Sequence, residues 1–349
     1  MRIEKAWAID GPQEKFHPTT IERRDPGPHD VYFEIKYAGI CHSDIHTARG
    51  EWHPDVPYPL VPGHEIAGIV KEVGSEVTGF KVGDRVGVGC FVYSCGECET
   101  CRNGHEQFCD SNGGAVYTYD SYDRDGKPTN GGYSSAITVD ENYICHIPDS
   151  IDLPHAAPIM CAGITTFAPL KRYGAGPGKK VAIVGLGGLG HMGVQIAAAM
   201  GAETHVISRT RNKAEDAARF GAVELHPTVE KGTWEAMRGQ FDLILSTLSD
   251  GVDLDDLLES VRPEGVVCVV GLPEHSQELN LSGLVGQQRL LAGSNIGGIA
   301  ETQEVLDFCA EHDITPQIEV ISAHQIDEAY NRVVNSQVRY RYVIDSATL

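Results

Sequence analysis

Val181–Met200 reads VAIVGLGGLGHMGVQIAAAM and carries no charge. A run of that length could cross a bilayer. Its glycines, however, fall together at Gly185, Gly187, Gly188 and Gly190, dividing a short β-branched run from an Ala-rich one. A soluble strand, a tight turn and a helix are therefore expected. The turn Gly185-Leu-Gly187-Gly188-Leu189-Gly190 fits G-x-G-x-x-G. Taken alone that motif is weak, but here a strand pattern precedes it and a helix pattern follows. In that setting the glycines allow a sharp turn and let backbone N–H groups reach a pyrophosphate at the positive end of the helix. A flexible glycine turn in a core would not account for the periodicity on both flanks.

Outward from this segment the rhythm persists. ETHVISRT reads as a strand, NKAEDAARFGA as a helix, FDLILSTL and GVVCVVGL as strands with LDDLLESVR between them, and LLAGSNIG as a further strand. Alternating strands and helices predict a doubly wound parallel sheet of the Rossmann type. The chain before about Ile151 differs: short strand-like runs (DVYFEIKYAG, EIAGIVKEVG, DRVGVG, GGYSSAITV) are separated by Gly and Pro. After about Gly297 come a helix, a strand, a helix and a final strand, YRYVID. No internal repeat is present, and Ser111–Gly132, rich in Gly, Tyr and Asp, reads as a surface loop.

At the end of the second strand of such a sheet an Asp or Glu commonly accepts hydrogen bonds from the adenosine ribose of NAD. This chain instead has Ser208-Arg209-Thr210-Arg211-Asn212-Lys213. A carboxylate would repel a ribose 2′-phosphate, whereas guanidinium, ammonium and hydroxyl groups bind its oxygens. NADP(H) is the expected coenzyme, with Ser208, Arg209, Thr210 and Lys213 at the phosphate; a solvated basic turn is the alternative.

The 349 residues are 41% hydrophobic and 22% charged, a globular composition long enough for two domains. The net charge of −21 argues against a nucleic-acid or anionic-membrane partner. The N-terminal MRIEKAWAIDG has no secretory pattern, so a cytoplasmic protein is expected.

Of ten cysteines, four sit at Cys95, Cys98, Cys101 and Cys109. Four thiolates so closely spaced can close around one tetrahedral Zn²⁺ and leave no open position, which marks a structural ion. An iron–sulfur cluster uses the same ligands and is a competitor, although a dicluster-ferredoxin pattern would put the fourth Cys at x3 followed by Pro, where here it is at x7 followed by Asp110; disulfides are disfavoured inside a cell. Elsewhere lie Cys41-His42-Ser43-Asp44-Ile45-His46, Pro62-Gly63-His64-Glu65 and Cys161-Ala-Gly-Ile-Thr165-Thr166. Singly, each admits a plain reading as core cysteine, loop histidine or surface pair.

Together with the cysteine cluster and the glycine turn, in this order, they resemble the zinc-dependent medium-chain alcohol dehydrogenases. CHSDIH, VPGHEIAG, CAGITT, GLGGLGHM and VRYRYVID are similar to the cinnamyl alcohol dehydrogenase group and the bacterial broad-specificity aldehyde reductases. The resemblance covers essentially the whole chain. It implies a GroES-like, mostly-β catalytic domain, 1–156 with 298–349, and a Rossmann domain, 157–297, with the active cleft between them. It implies a second, catalytic zinc held by Cys41, His64 and Cys161, a ligand set already known for alcohol dehydrogenase, with Glu65 beside it. Asp44 is expected on the ring N–H of His64, and Ser43 and His46 in a proton path to solvent. His42 stands where many relatives carry Arg near the pyrophosphate, and Thr165 is expected at the coenzyme. Trp52 and Phe91 are candidates for an apolar substrate wall. The implied reaction is hydride transfer between NADP(H) and a small-molecule alcohol or aldehyde, in a homodimer with two zinc ions per chain. A polyol dehydrogenase would ordinarily carry an acid at the second strand end. A non-catalytic nicotinamide-binding protein would not need the retained ligands. A zinc-ribbon nucleic-acid binder would need a basic face where ECETCRNGHE is acidic.

Overall fold

In the computed structural model, residues 1–52, 55–111, 113–249, 251–273 and 275–349 are described. The chain forms two compact units, Met1–Cys161 with Gly297–Leu349, and Ala162–Ile296.

In the second unit the uncharged run divides as its glycines require: a strand over Lys180–Val184 and a helix over Gly190–Ala199. Six parallel strands form one sheet. Counted along this unit, they lie in the order third, second, first, fourth, fifth, sixth. This is the doubly wound order whose reversal point beside the first strand opens a crevice at the strand C-termini. Ala182, Ile183, Val184, Ile244 and Leu245 are buried on adjacent central strands. A parallel sheet covered on both faces needs such continuous apolar runs rather than alternation. Among the described residues no helix is long and apolar enough to cross a membrane.

The first unit is built on a mainly antiparallel sheet whose central strand, Asp30–Gly39, pairs with Ile66–Val73 along most of its length. On its other side it meets Ala136–Asp140 near its start and Arg341–Asp345 near its end. The C-terminal segment therefore belongs to this unit through strand pairing. The end of the Asp30–Gly39 strand and the start of the Ile66–Val73 strand lie side by side, with Ala38 opposite Ile66. Two candidate segments distant in sequence, 41–46 and 62–65, thus leave the sheet at one place.

Candidate active site

The His42–Ala48 helix begins where the central strand stops. Cys41 is its N-cap, and Asp44 Oδ2 accepts the Cys41 N–H at 2.9 Å, a reciprocal cap that fixes the first turn. Asp44 is fully buried. Its Oδ1 accepts the Gly63 N–H at 3.2 Å and lies 3.2 Å from His64 Nδ1, while Tyr133 donates its hydroxyl to Oδ2 at 3.2 Å. One carboxylate therefore caps a helix, ties down the turn before His64 and orients the imidazole. With Nδ1 on Asp44, His64 Nε2 faces the Cys161 sulfur at 3.2 Å. Gly63 has φ of +106°, and a Cβ there would stand 2.7 Å from the Tyr133 ring, so the turn excludes a side chain twice over.

Cys161 is carried by the π-helical turn Ile159–Gly163. Such wide turns are rare and are found frequently at functional sites. The approach of this turn depends on small neighbours: a Cβ on Gly87 would lie 2.7 Å from Met160 Sδ, and one on Gly89 would lie 2.8 Å from the Met160 carbonyl oxygen. One ligand atom from each of Cys41, His64, Glu65 and Cys161 falls within 4.8 Å of all the others, and all four residues are buried.

This donor set fits a soft divalent cation. Both Glu65 carboxylate oxygens are buried without a hydrogen-bond partner. The nearest counter-charge is Arg341, whose Nη2 lies 3.4 Å from Glu65 Oε1. Burial pushes Glu65 up to about 8 against the pull of Arg341. Cys41 is held well below the usual thiol range, first by a hydrogen bond from Cys161 and then by His64 and Arg341. A carboxylate and thiols confined in so small a buried space are what a metal ion would neutralise. Glu65 fits because Gly39 faces it: a Cβ on Gly39 would lie 2.0 Å from Glu65 Oε2.

Ser43 and His46, the residues expected in a proton path, both lie on the His42–Ala48 helix. Ser43 Oγ lies 3.7 Å from Cys41 Sγ. His46 is buried, its Nδ1 lies 2.5 Å from Glu51 Oε2, and its ring stacks on Trp52 at 5.3 Å. His42 is exposed at the start of the helix, its ring 5.8 Å from that of His46. Trp52 is 40% exposed, whereas Phe91 is 2% exposed and packs edge-on against Tyr143. Phe91 is thus part of the core.

Cys95, Cys98, Cys101 and Cys109 bring their sulfurs within 4.8 Å of one another. The Glu97 and Cys98 N–H groups donate to Cys95 Sγ at 3.3 and 3.2 Å, and the Cys95 N–H donates to Cys109 Sγ at 3.4 Å. Ser111 and these amides lower the Cys95 thiol to about 6, while burial pushes Cys101 up to about 12. The four sulfurs fit one enclosed cation.

In the second unit Gly185 takes φ of +86°, and a Cβ on Gly190 would lie 1.9 Å from the Gly185 carbonyl oxygen. Only glycine closes this turn. A Cβ on Gly187 would meet nothing within 4 Å, so its backbone borders open space, as a pyrophosphate cradle requires. Gly188 and Leu189 are half-buried and lead into the helix. Thr165 is buried on the Ile164–Arg172 helix, and the neighbouring Thr166 packs beside Gly193 of the glycine-turn helix. Beyond Ser208 the basic residues separate by role. Arg211 forms a bidentate pair with Glu230 at 2.7 and 2.8 Å, and Lys213 Nζ donates to the Leu186 carbonyl at 2.6 Å, bracing the turn. Arg209 is exposed, and its guanidinium has no partner among the described residues. Thr210 begins the short turn that carries Arg211 and Lys213.

Three neighbours of the buried cluster carry no role assigned from the sequence. Arg341 donates to the Ile40 carbonyl at 3.0 Å beside Glu65; an arginine inside the apolar strand RYVID was its only trace. The Cys90 thiol is held below its ordinary range, first by the neighbouring Cys161, and no spacing marked it. Tyr119, whose ring stacks on His64 at 5.6 Å, was equally silent.

A GroES-like unit joined to a Rossmann unit, with two cysteine-rich clusters, defines a zinc-type medium-chain dehydrogenase. Residues 27–149 match the family described as alcohol dehydrogenase GroES-like domain, and residues 188–311 match zinc-binding dehydrogenase. The chain is 56% identical over 350 residues to NADP-dependent alcohol dehydrogenase C 1 of Mycolicibacterium smegmatis, covering 100% of this chain and 99% of that one. It is 46% identical over 351 residues to aldehyde reductase YahK of Escherichia coli, covering 100% and 99%. Among solved structures it resembles the cinnamyl alcohol dehydrogenase SbCAD4 of Sorghum bicolor, with TM-score 0.95, 38% identity and coverage of 99% and 98%. The chain belongs to the zinc-binding alcohol dehydrogenase family.

Proposed function

We propose that this protein is an NADP(H)-dependent zinc oxidoreductase that interconverts primary alcohols and aldehydes, aromatic or of medium aliphatic length. The observation that carries the reading is the convergence of Cys41, His64, Glu65 and Cys161 ligand atoms within 4.8 Å of one another. The catalytic domain is taken as 1–156 with 298–349 and the coenzyme domain as 157–297.

Cys41, His64 and Cys161 would hold the catalytic zinc, with Glu65 as an alternative ligand, and Cys95, Cys98, Cys101 and Cys109 would hold the structural one. When bound, the catalytic ion supplies Lewis acidity at the substrate oxygen, and the coenzyme supplies or accepts the hydride. Asp44 holds the proton of His64 on Nδ1, so that Nε2 keeps its lone pair directed into the cluster. Ser43 hydrogen-bonds the substrate hydroxyl, and His46 passes its proton to solvent, held in place by Glu51. The Trp52 ring orients His46 and forms an apolar wall for the substrate. Gly185, Gly187, Gly188, Leu189 and Gly190 hold the pyrophosphate with His42 and Thr165, while Ser208, Arg209, Thr210 and Lys213 face the 2′-phosphate. The active form is a cytoplasmic homodimer.

The test is a matched assay of benzaldehyde and a medium-chain aliphatic aldehyde with NADPH and with NADH, alongside metal analysis. Strong preference for NADPH, with two zinc ions per chain, is the expected result. Equal rates with both coenzymes would defeat the 2′-phosphate assignment, and full activity with one zinc would defeat the two-cluster assignment.

A further inference from the structure

The coenzyme-binding unit carries a group of side chains that neither the glycine turn nor the hydride chemistry uses. Strands Glu203–Ser208 and Glu224–Pro227 run parallel, with His205 opposite Glu224 and Ile207 opposite His226. Residues two apart on a strand share a face, so Glu203, His205, Glu224 and His226 all project from one side of the sheet. His205 Nδ1 lies 3.0 Å from His226 Nε2, and the two rings stack at 5.2 Å with 22° between their planes. Glu203 Oε1 lies 3.2 Å from His205 Nε2, and Glu224 Oε2 lies 3.9 Å from His226 Nε2. Phe241 stands edge-on against both imidazoles, at 5.3 and 5.9 Å. His205 is buried, but the strand bearing Glu224 and His226 is the edge of the sheet, and the Glu224 side chain is 62% exposed. The group is walled on one side and reachable from solvent on the other.

We propose that His205, His226 and Glu224 form a third metal site, for a divalent transition ion of the zinc class. One donor atom from each lies within 4.8 Å of the other two. Two imidazoles and a carboxylate are an established zinc donor set that leaves a fourth position to water. With metal–nitrogen bonds of ~2.0–2.1 Å, two nitrogens on a tetrahedral ion stand ~3.4 Å apart. The pair at 3.0 Å needs to open by only a few tenths of an ångström. Glu203 supplies the carboxylate that holds a ligating imidazole in one tautomer. It keeps the His205 proton on Nε2, which leaves the Nδ1 lone pair aimed at His226. Without metal, His226 donates its Nε2–H to that lone pair. On metal uptake His226 carries its proton on Nδ1 instead, so the ligands change tautomer and not charge. The occupied site would pin the edge strand to its neighbour. Ser208 lies an odd number of residues from His205 and so points from the opposite face of the sheet, and the ion would not compete with the coenzyme there.

The experiment uses the full-length enzyme with its cysteine clusters loaded with zinc, freed of loosely held metal by gel filtration and then dialysed against Zn²⁺. Bound zinc per chain and melting temperature are measured for the wild type, His226→Gln and Glu224→Gln. The wild type is expected to take up one further zinc and to melt at a higher temperature in its presence. Both variants should need at least ten-fold more Zn²⁺ to do so, with aldehyde reduction unchanged. No uptake beyond the cysteine clusters, or equal uptake by wild type and variants, would overturn the site. Should His226→Gln fail to fold, the Glu224→Gln comparison decides alone, since that side chain is on the surface. A zinc count that falls only when Cys41 or Cys98 is replaced would leave the family reading intact and remove this site.

Discussion

Asp44 bonds the Cys41 and Gly63 amides, the Tyr133 hydroxyl and the His64 ring from one buried carboxylate. Asp44→Asn keeps the size but loses the charge that fixes the imidazole, and carboxylates in this position are typically worth about 10–100-fold in metal affinity or activity. The variant should therefore fold, lose activity on that scale and retain less zinc, as followed by circular dichroism, steady-state rates and metal analysis. Arg209 is the one cation of the Ser208–Lys213 segment not engaged by a protein group among the described residues. A charge-assisted hydrogen bond is worth ~1.5–3 kcal/mol, or roughly 10–100-fold in binding. Arg209→Asp should raise the KM for NADPH by that factor and leave NADH nearly unchanged; equal losses would remove Arg209 from the 2′-phosphate. For His46→Ala, kcat should fall by ~10²-fold or more and recover in part with imidazole buffer, because a diffusing base can replace a relay but not a zinc ligand. At this scale the sequence was legible where a residue type is unusual for its place, as with the paired cysteines and the acid two residues beyond His42. Cys90 and Tyr119 reach the cluster only through folding, and neither residue type is uncommon in a core.

Between strands and helices, the site depends on positions where nothing larger than hydrogen fits. The Asp30–Gly39 strand can run beside the Glu65 segment only because Gly39 has no side chain there. Gly39→Ala should lower the unfolding free energy by ~1–3 kcal/mol, the usual cost of overpacking, and should depress activity by displacing Glu65; denaturant titration and rate measurement check both. The Cys95–Cys109 segment contains only a four-residue helix and a three-residue 3₁₀ turn, too little to hold itself together. Cys98→Ser should remove one zinc per chain and lower the melting temperature. Alternation of apolar runs with helical patterns made the parallel sheet readable from Val181 onward, since a sheet buried on both faces leaves that mark. The π-helical turn under Cys161 was not readable, because its register is set by Met160 packing over Gly87 and Gly89, contacts remote in sequence. Phe91 was misplaced as a wall for the same reason: an aromatic between ligand segments looks alike in a core and in a pocket, and only Tyr143 distinguishes them.

At the scale of the molecule, the chain closes its first unit with its last strand, so Arg341 comes to lie beside Glu65 from the far end of the sequence. The unit boundary falls between Cys161 and Ala162, inside one helical turn, which places the last thiol ligand at the end of the first unit. The central claim is that Cys41, His64 and Cys161 share one ion that the reaction requires. Its most direct test is the zinc retained after exhaustive gel filtration in a weak chelator, compared between the wild type and Cys161→Ser, with NADPH-dependent aldehyde reduction measured on the same samples. The account predicts two zinc ions per chain falling to one, with activity lost and the zinc of the Cys95–Cys109 cluster retained. An unchanged zinc count with full activity would contradict it.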